Sequence, residues 1–141
     1  EAASQWVLMN MTTRSILKPA DCNVVTPSTD HIPVPFTIER GDFTFEPDQV
    51  TERTPRYSDL DYNGHVNNAR YIEWIFDLSQ PQWFAENQVT EFDIKYHQEI
   101  RYGGKVLLDF KLCPEERKFH VRGRSEEGTV YFEVVGNFET W

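Results

Sequence analysis

The 141-residue chain carries a formal net charge of -9 at pH 7. It therefore lacks the broad positive field that a phosphate backbone requires, and nucleic acid is excluded as its main partner. Apolar residues make up 39% and aromatics 14%, which suffices for one hydrophobic core and argues against disorder, while the length leaves no room for a second full domain. No apolar run approaches the ~20 residues needed to span a bilayer, and no basic segment followed by an apolar stretch opens the chain, so no membrane span is expected.

Ser4 to Met9 (SQWVLM) is dense in strand-favouring side chains, and the first turn signal comes only after Asn10. Residues 1–12 are read as the terminal strand of a preceding, mostly absent domain whose sheet lies upstream. Residues 13–47 follow as a proline-rich linker. Pro19, Pro27, Pro33, Pro35 and Pro47 fall there, and each removes a backbone donor and fixes φ.

Residues 48–141 are expected to form the compact block: a short strand (VTERTPRY), a polar turn, a helix and four strands. The helix is placed at about Asn67 to Ser79, with Asn67 or Asn68 as its cap and Pro81 as its stop. Arg70, Glu73 and Asp77 share one narrow stripe, while Ala69, Tyr71, Ile72, Trp74, Ile75, Phe76 and Leu78 cover the rest. A helix so apolar must be wrapped by other structure. Strands at about Thr90 to Gln98, Lys105 to Cys113, Lys118 to Arg124 and Thr129 to Glu139 supply the wrapping. In the first of them Phe92, Ile94 and Tyr96 alternate with Glu91, Asp93, Lys95 and His97, giving one buried and one wet face. The Pro-Glu-Glu-Arg and Ser-Glu-Glu-Gly segments between the later strands read as hairpin turns. The expected class is α+β, an antiparallel β-sheet wrapped around a central α-helix.

Cys22 and Cys113 sit in no CxxC or Cys/His cluster. Two free, inert thiols in a reducing compartment are expected, since neither has an adjacent His or basic neighbour to favour thiolate. Chemistry concentrates instead in Arg56 to Trp74 (RYSDLDYNGHVNNARYIEW), which gathers Asp59, Asp61, Asn63, His65, Asn67 and Asn68 at the turn entering the helix. One reading is a capping turn, for which Asn, Asp and Gly64 are suited. The other is an acyl-transfer site, because free N–H groups at a helix N-terminus beside a carboxylate, an imidazole and an amide can hold a carbonyl and stabilise its oxyanion. The residues alone leave both open. Asp59, Asp61 and His65 are also metal-ligand types, but no second His or Cys stands at ligand spacing and no metal is expected.

Asp59 to Trp74 (DLDYNGHVNNARYIEW) resembles the D-x-N-x-H-V-N-N signature of the acyl-acyl-carrier-protein thioesterases of plants and bacteria. Lys95 to Gly104 (KYHQEIRYGG) resembles that family's Y-x-x-E segment with its following glycine, and SQWVLMNMTTR resembles the end of its first domain, so the likeness spans nearly the whole chain. The resemblance implies two hotdog domains in tandem, the first largely supplying the acyl-chain pocket and the second the catalytic residues. Residues 48–141 then correspond to the second hotdog, and residues 1–12 to the last strand of the first. Carried over position by position, the family's catalytic Asp, Asn and His fall on Asp61, Asn63 and His65, and its catalytic Glu on Glu99. Some members have a Cys directly after that Glu; here the position is Ile100, which excludes a cysteine nucleophile there.

What the resemblance implies is hydrolysis of fatty acyl-acyl-carrier-protein thioesters to free fatty acid and carrier thiol by an activated water. Either Glu99 or Asp61 is the general base, with a carboxylate nucleophile as the second choice. Asn63 orients the water or the thioester carbonyl, His65 orients the acid or protonates the leaving thiolate, and N–H groups of Val66, Asn67 and Asn68 complete the oxyanion site. No cofactor is implied. The partners implied are an acyl-carrier protein bearing a fatty acyl thioester and the N-terminal hotdog domain; homodimerisation stays open. The location is the cytoplasm, or the plastid stroma in a plant.

Two other readings stand beside this one. The D-x-D turn leading into the helix also resembles single-hotdog acyl-CoA thioesterases of the 4-hydroxybenzoyl-CoA type, and a catalytically silent acyl-binding hotdog half is a third possibility that the presence of Asp61, Asn63 and Glu99 disfavours. Glu99 itself shares the parity of the wet face of its strand, so only a bulge near Gln98 to Gly103 or a covering domain brings it to a site. The stripe of Lys118, His120, Arg122 and Arg124 can meet an acidic carrier or its phosphate, although a solvated face paired with acids is the plainer reading. His97 and His31 are likewise placed in solvent.

Overall fold

The computed structural model describes Ser4 and residues 8–10, 12–13, 15–22 and 44–141. The chain divides into two units, residues 1–38 and 39–141. In the first, β1 (Leu8–Met9) pairs antiparallel with β2 (Ile16–Leu17), and Pro19–Asp21 forms one 3-10 turn. The Asn10 side chain shapes the hairpin by accepting the N–H groups of Thr12 and Thr13, each at 2.9 Å. Most of the expected linker, with Pro27, Pro33, Pro35 and His31, lies outside the described residues.

The second unit runs β3 (Gln49–Arg53), α1 (Asn68–Phe76), α2 (Pro81–Glu86), β4 (Asn87–Tyr96), β5 (Val106–Cys113), β6 (Lys118–Arg124) and β7 (Val130–Thr140). These strands make one antiparallel sheet in the order β3-β5-β6-β7-β4. Alternation puts Val106, Leu108, Phe119, Val121, Phe132, Val134 and Phe138 on one face. Tyr71, Trp74, Ile75 and Leu78, spaced as one helical face, pack against it to form the core. Trp74 is 1% exposed. A helix held in a bulged antiparallel sheet in this way is the hotdog fold: the alternation implied the sheet around the helix, and the resemblance implied the hotdog.

Two aromatic rings take the place of missing side chains in that core. Gly123 lies opposite Phe132, and Gly136 opposite Phe119. A Cβ at either glycine would overlap the ring across from it. Each ring therefore lies flat over a glycine, filling the volume that a side chain would occupy. Gly136→Ala is expected to destabilise the unit by about 1–3 kcal/mol through overpacking, read as a fall in the denaturation midpoint. An unchanged midpoint would mean that Phe119 has room to move.

The helical region departs from expectation in a definable way. α1 ends at Phe76 rather than Ser79, and Pro81 is the first residue of α2 instead of a plain stop. Proline is pre-organised for a first helical turn because its missing N–H has no helical acceptor there. The short second helix turns Trp83 onto Phe138 at 5.2 Å and Phe84 onto Phe76 at 5.8 Å between ring centroids, closing the far end of α1.

On the outer face of the sheet the basic stripe of β6 is paired with an acid, as expected, but that acid is buried. Asp109 is fully buried there and receives Arg122 Nε and Nη2 at 3.0 and 2.8 Å, and Arg124 Nε and Nη2 at 2.8 and 3.0 Å. Phe45 covers the stripe, with its ring 5.6 Å from the His120 ring and the Arg122 guanidinium 4.9 Å above it. His97 is engaged too, 2.7 Å from Glu133.

Candidate active site

The loop before α1 is folded by its own side chains. The Asp59 carboxylate accepts the Arg56 N–H at 2.7 Å while its carbonyl accepts the Asn67 N–H at 2.8 Å. Two residues on, Asp61 Oδ1 accepts the N–H groups of Asn63 at 2.8 Å and His65 at 3.3 Å. The Asp61 N–H and the His65 carbonyl close the loop at 2.8 Å. Gly64 allows this tight reversal because it sits at φ 77°, where a side chain is strained. Asn67 then caps α1, its Oδ1 taking the Ala69 N–H at 2.9 Å. The capping-turn chemistry is thus real, and the turn leaves Asn63 exposed beside the half-buried His65.

Glu99 reaches this loop through a change of partner. β4 ends at Tyr96, and the next two N–H groups, of His97 and Gln98, both donate to the Tyr131 carbonyl at 2.8 and 3.2 Å. Two residues facing one is a bulge, and it ends the pairing with β7. The chain then pairs with the loop: His65 bridges Arg101, and the Ile100 carbonyl accepts the Val66 N–H at 2.8 Å. Ile100 is buried where a family cysteine would stand, and Glu99 beside it lies with Oε2 at 3.3 Å from His65 Nε2. Both side chains remain accessible, His65 at 23% and Glu99 at 43%. A carboxylate, an imidazole and a loop amide are therefore gathered at the mouth of α1, a set that can activate water and move a proton.

The N–H groups once assigned to an oxyanion site are only partly available. Those of Val66 and Asn67 are taken by the carbonyls of Ile100 and Asp59, because the loop needs them to hold its shape. Among the described residues no backbone carbonyl outside the helix takes the N–H of Asn68, the first helical residue. Cys22 and Cys113 are free, half-buried thiols, and among the described residues no three His, Cys, Asp or Glu side chains converge as a metal set. Tyr71, counted as core for its helical spacing, is core, at 2% exposure; burial pushes its hydroxyl up to about 12, and the charges of Glu99 and Asp61 add to that push.

With the fold and this geometry in hand, comparison with known proteins is decisive. The family model of the acyl-ACP thioesterase C-terminal domain matches residues 44–140. The chain belongs to that family. It is 33% identical over 108 residues to the chloroplastic acyl-acyl-carrier-protein hydrolase FATB2 of Cuphea viscosissima, an alignment covering 70% of this chain and 26% of that relative. The structure matches an acyl-ACP thioesterase from Bacteroides thetaiotaomicron at a TM-score of 0.64 and 28% identity, over 93% of this chain and 53% of that one. The 12:0-ACP thioesterase of Umbellularia californica shares the fold at a TM-score of 0.69 and 20% identity, over 94% of this chain and 53% of that one. The chain thus spans about a quarter of the length of the curated family relatives it matches first. Among the described residues no helix is long and apolar enough to cross a membrane.

Proposed function

We propose that this chain is the catalytic half of a thioesterase that hydrolyses fatty acyl-acyl-carrier-protein thioesters to free fatty acid and carrier thiol, acting in the cytoplasm or a plastid stroma. The observation that carries the reading is the pairing of Glu99 with His65 at 3.3 Å beside the Asp61–Asn63 turn. Glu99 is the base: its carboxylate is half-exposed next to the imidazole, whereas Asp61 Oδ1 is committed to two backbone N–H groups and shapes the loop. Glu99 takes a proton from water as its oxygen attacks the thioester carbonyl. Asn63 orients that water or the carbonyl, and the Asn68 N–H at the positive end of α1 supports the oxyanion. When the tetrahedral intermediate collapses, the C–S bond breaks and the proton that Glu99 took from water passes through His65, 3.3 Å away, to the leaving thiolate, which restores both groups. The acid oxygen comes from water and no cysteine is acylated. The N-terminal hotdog domain of the full-length protein supplies the acyl pocket and residues 48–141 the chemistry.

The test is hydrolysis by the full-length gene product across acyl lengths, with acyl-carrier-protein and CoA thioesters side by side. Turnover of the carrier-protein thioesters is the expected result. Preference for CoA would transfer the assignment to the acyl-CoA class, and absence of hydrolysis with every thioester would leave a silent acyl-binding domain.

A further inference from the structure

Beside the active-site loop lies an open cleft of about 680 Å³, a size within the ~300–1,000 Å³ range of small-molecule sites. One wall is the segment that leaves β3, with Arg53, Arg56 and Tyr57, and the other is Tyr102. Both walls join the catalytic machinery through the backbone. Tyr102 follows Arg101, which bridges His65, and the Arg56 N–H is held by the Asp59 carboxylate at 2.7 Å. Pro55, fully buried, fixes the chain on the other side of Arg56. The backbone of Arg56 is thus pinned while its side chain stands exposed. Tyr57 and Tyr102 are exposed as well, at 86% and 67%.

The charge of this cleft runs against that of the chain, whose net value is -9. Other cations near the loop are already paired: Arg53 with Asp77 at 3.1 Å, Arg70 with Glu73 at 2.6 Å and Lys105 with Glu52 at 3.2 Å. The last pair neutralises the carboxylate in the cleft lining. The basic stripe of β6 commits Arg122 and Arg124 to Asp109. Among the described residues no carboxylate stands within ion-pair distance of Arg56 or Arg101.

We propose that this cleft binds the phosphate of the arm that carries the acyl thioester, with Arg56 as its main cation and Tyr57 and Tyr102 as hydroxyl donors. The proposal rests on the thioesterase reading above and names the part of the acyl donor that the cleft holds. An acyl group on a carrier protein hangs from a phosphopantetheine arm, so phosphate and thioester arrive on one flexible tether. A cation site joined to the catalytic loop can hold one end of that tether while the other reaches Glu99 and His65. The guanidinium offers N–H donors in a fork that matches phosphate oxygens in pairs, and phenol O–H groups add donors at the rim. A concave cleft fits the slim arm better than the carboxylates on the body of a carrier, which would meet open surface. Holding the phosphate also removes freedom from the tether before the thioester enters the site.

The test uses the full-length gene product and one acyl group presented on the carrier protein, on 4′-phosphopantetheine and on pantetheine, which has the same thiol without the phosphate. The readout is the ratio of kcat/KM for the phosphopantetheine thioester to that for the pantetheine thioester. The parent is expected to favour the phosphorylated donor. Arg56→Ala is expected to shrink the ratio by about 10-fold, the scale of one charge-assisted hydrogen bond at an exposed site. Arg56→Lys, which keeps the charge and loses the paired geometry, is expected to recover part of it. Both changes spare the bond to Asp59, because the backbone N–H makes it. If Arg56→Ala still fails to fold, added salt carries the test in the parent, where screening should lower the ratio. A parent that treats the two short donors alike, or an Arg56→Ala ratio equal to the parent's, would overturn the cleft and leave the thioesterase reading in place. A loss confined to the carrier-protein thioester would also overturn it, assigning Arg56 to the body of the carrier. A parent that hydrolyses none of the thioesters would overturn the thioesterase reading, and the cleft with it.

Discussion

Glu99→Ala is expected to lower kcat of the full-length gene product by about 10² to 10⁴-fold, the usual contribution of a positioned proton acceptor. Its carboxylate is the one acid placed against His65 Nε2, and alanine leaves no group to take the proton from water. Asp61 should behave differently when the substitution is chosen to separate charge from shape. Asp61→Asn keeps an oxygen for the N–H groups of Asn63 and His65 and is expected to cost less than Glu99→Gln. Asp61→Ala releases both N–H groups, lets the loop drift and is expected to approach the loss predicted for Glu99→Ala. Cys22→Ala and Cys113→Ala are expected to stay near the parent rate, since Ile100 fills the position after Glu99 where the resemblance puts a thiol in some members. Near-normal turnover in both acid variants, or loss of activity on changing a cysteine without loss of folding, would show the chemistry to be wrongly assigned.

The sequence displayed the fold where one periodicity dominated. β6 matches its predicted bounds and β4, β5 and β7 fall within about three residues of theirs, because apolar residues alternate there without interruption. Pro81 misled because the same residue ends one helix and begins another, and only the apolar pair Trp83 and Phe84 behind it hints at the second. The loop chemistry of Asp61 to Asn67 was legible from residue type, but the sharing of its N–H groups was not. Asn67 donates to Asp59 within the loop, and Val66 donates to Ile100, on a segment more than thirty residues away. Glu99 was named through the resemblance and not through its pattern: its parity points to solvent, and the bulge needed to turn it is set by the Tyr131 carbonyl on another strand, which takes the N–H groups of His97 and Gln98.

Away from the site, the largest stability effect is expected at Asp109. This carboxylate has no solvent exposure, so burial pushes its pKa up, yet the hydrogen bonds and charges of Arg124 and Arg122 outweigh that and hold it below the ordinary carboxylate range. Asp109→Asn keeps the volume but leaves two guanidiniums facing each other without a shared anion. Removing one partner of a buried pair costs about 3–5 kcal/mol; the low end, about 3 kcal/mol, is expected here because the arginines, at 22% and 25% exposure, can swing toward water. The sign of the pH dependence follows from the depressed value. The unfolded chain binds the proton first, so the contribution of Asp109 is whole above the unfolded carboxylate value near 3.8. It is lost as the pH falls from there through the lower folded value. Denaturation midpoints measured from pH 7 down to pH 3 should therefore show the parent losing part of its advantage over Asp109→Asn only below about pH 4. A constant gap across that range, or no gap at pH 7, would mean that the Arg122–Asp109–Arg124 cluster contributes shape without charge-dependent stability.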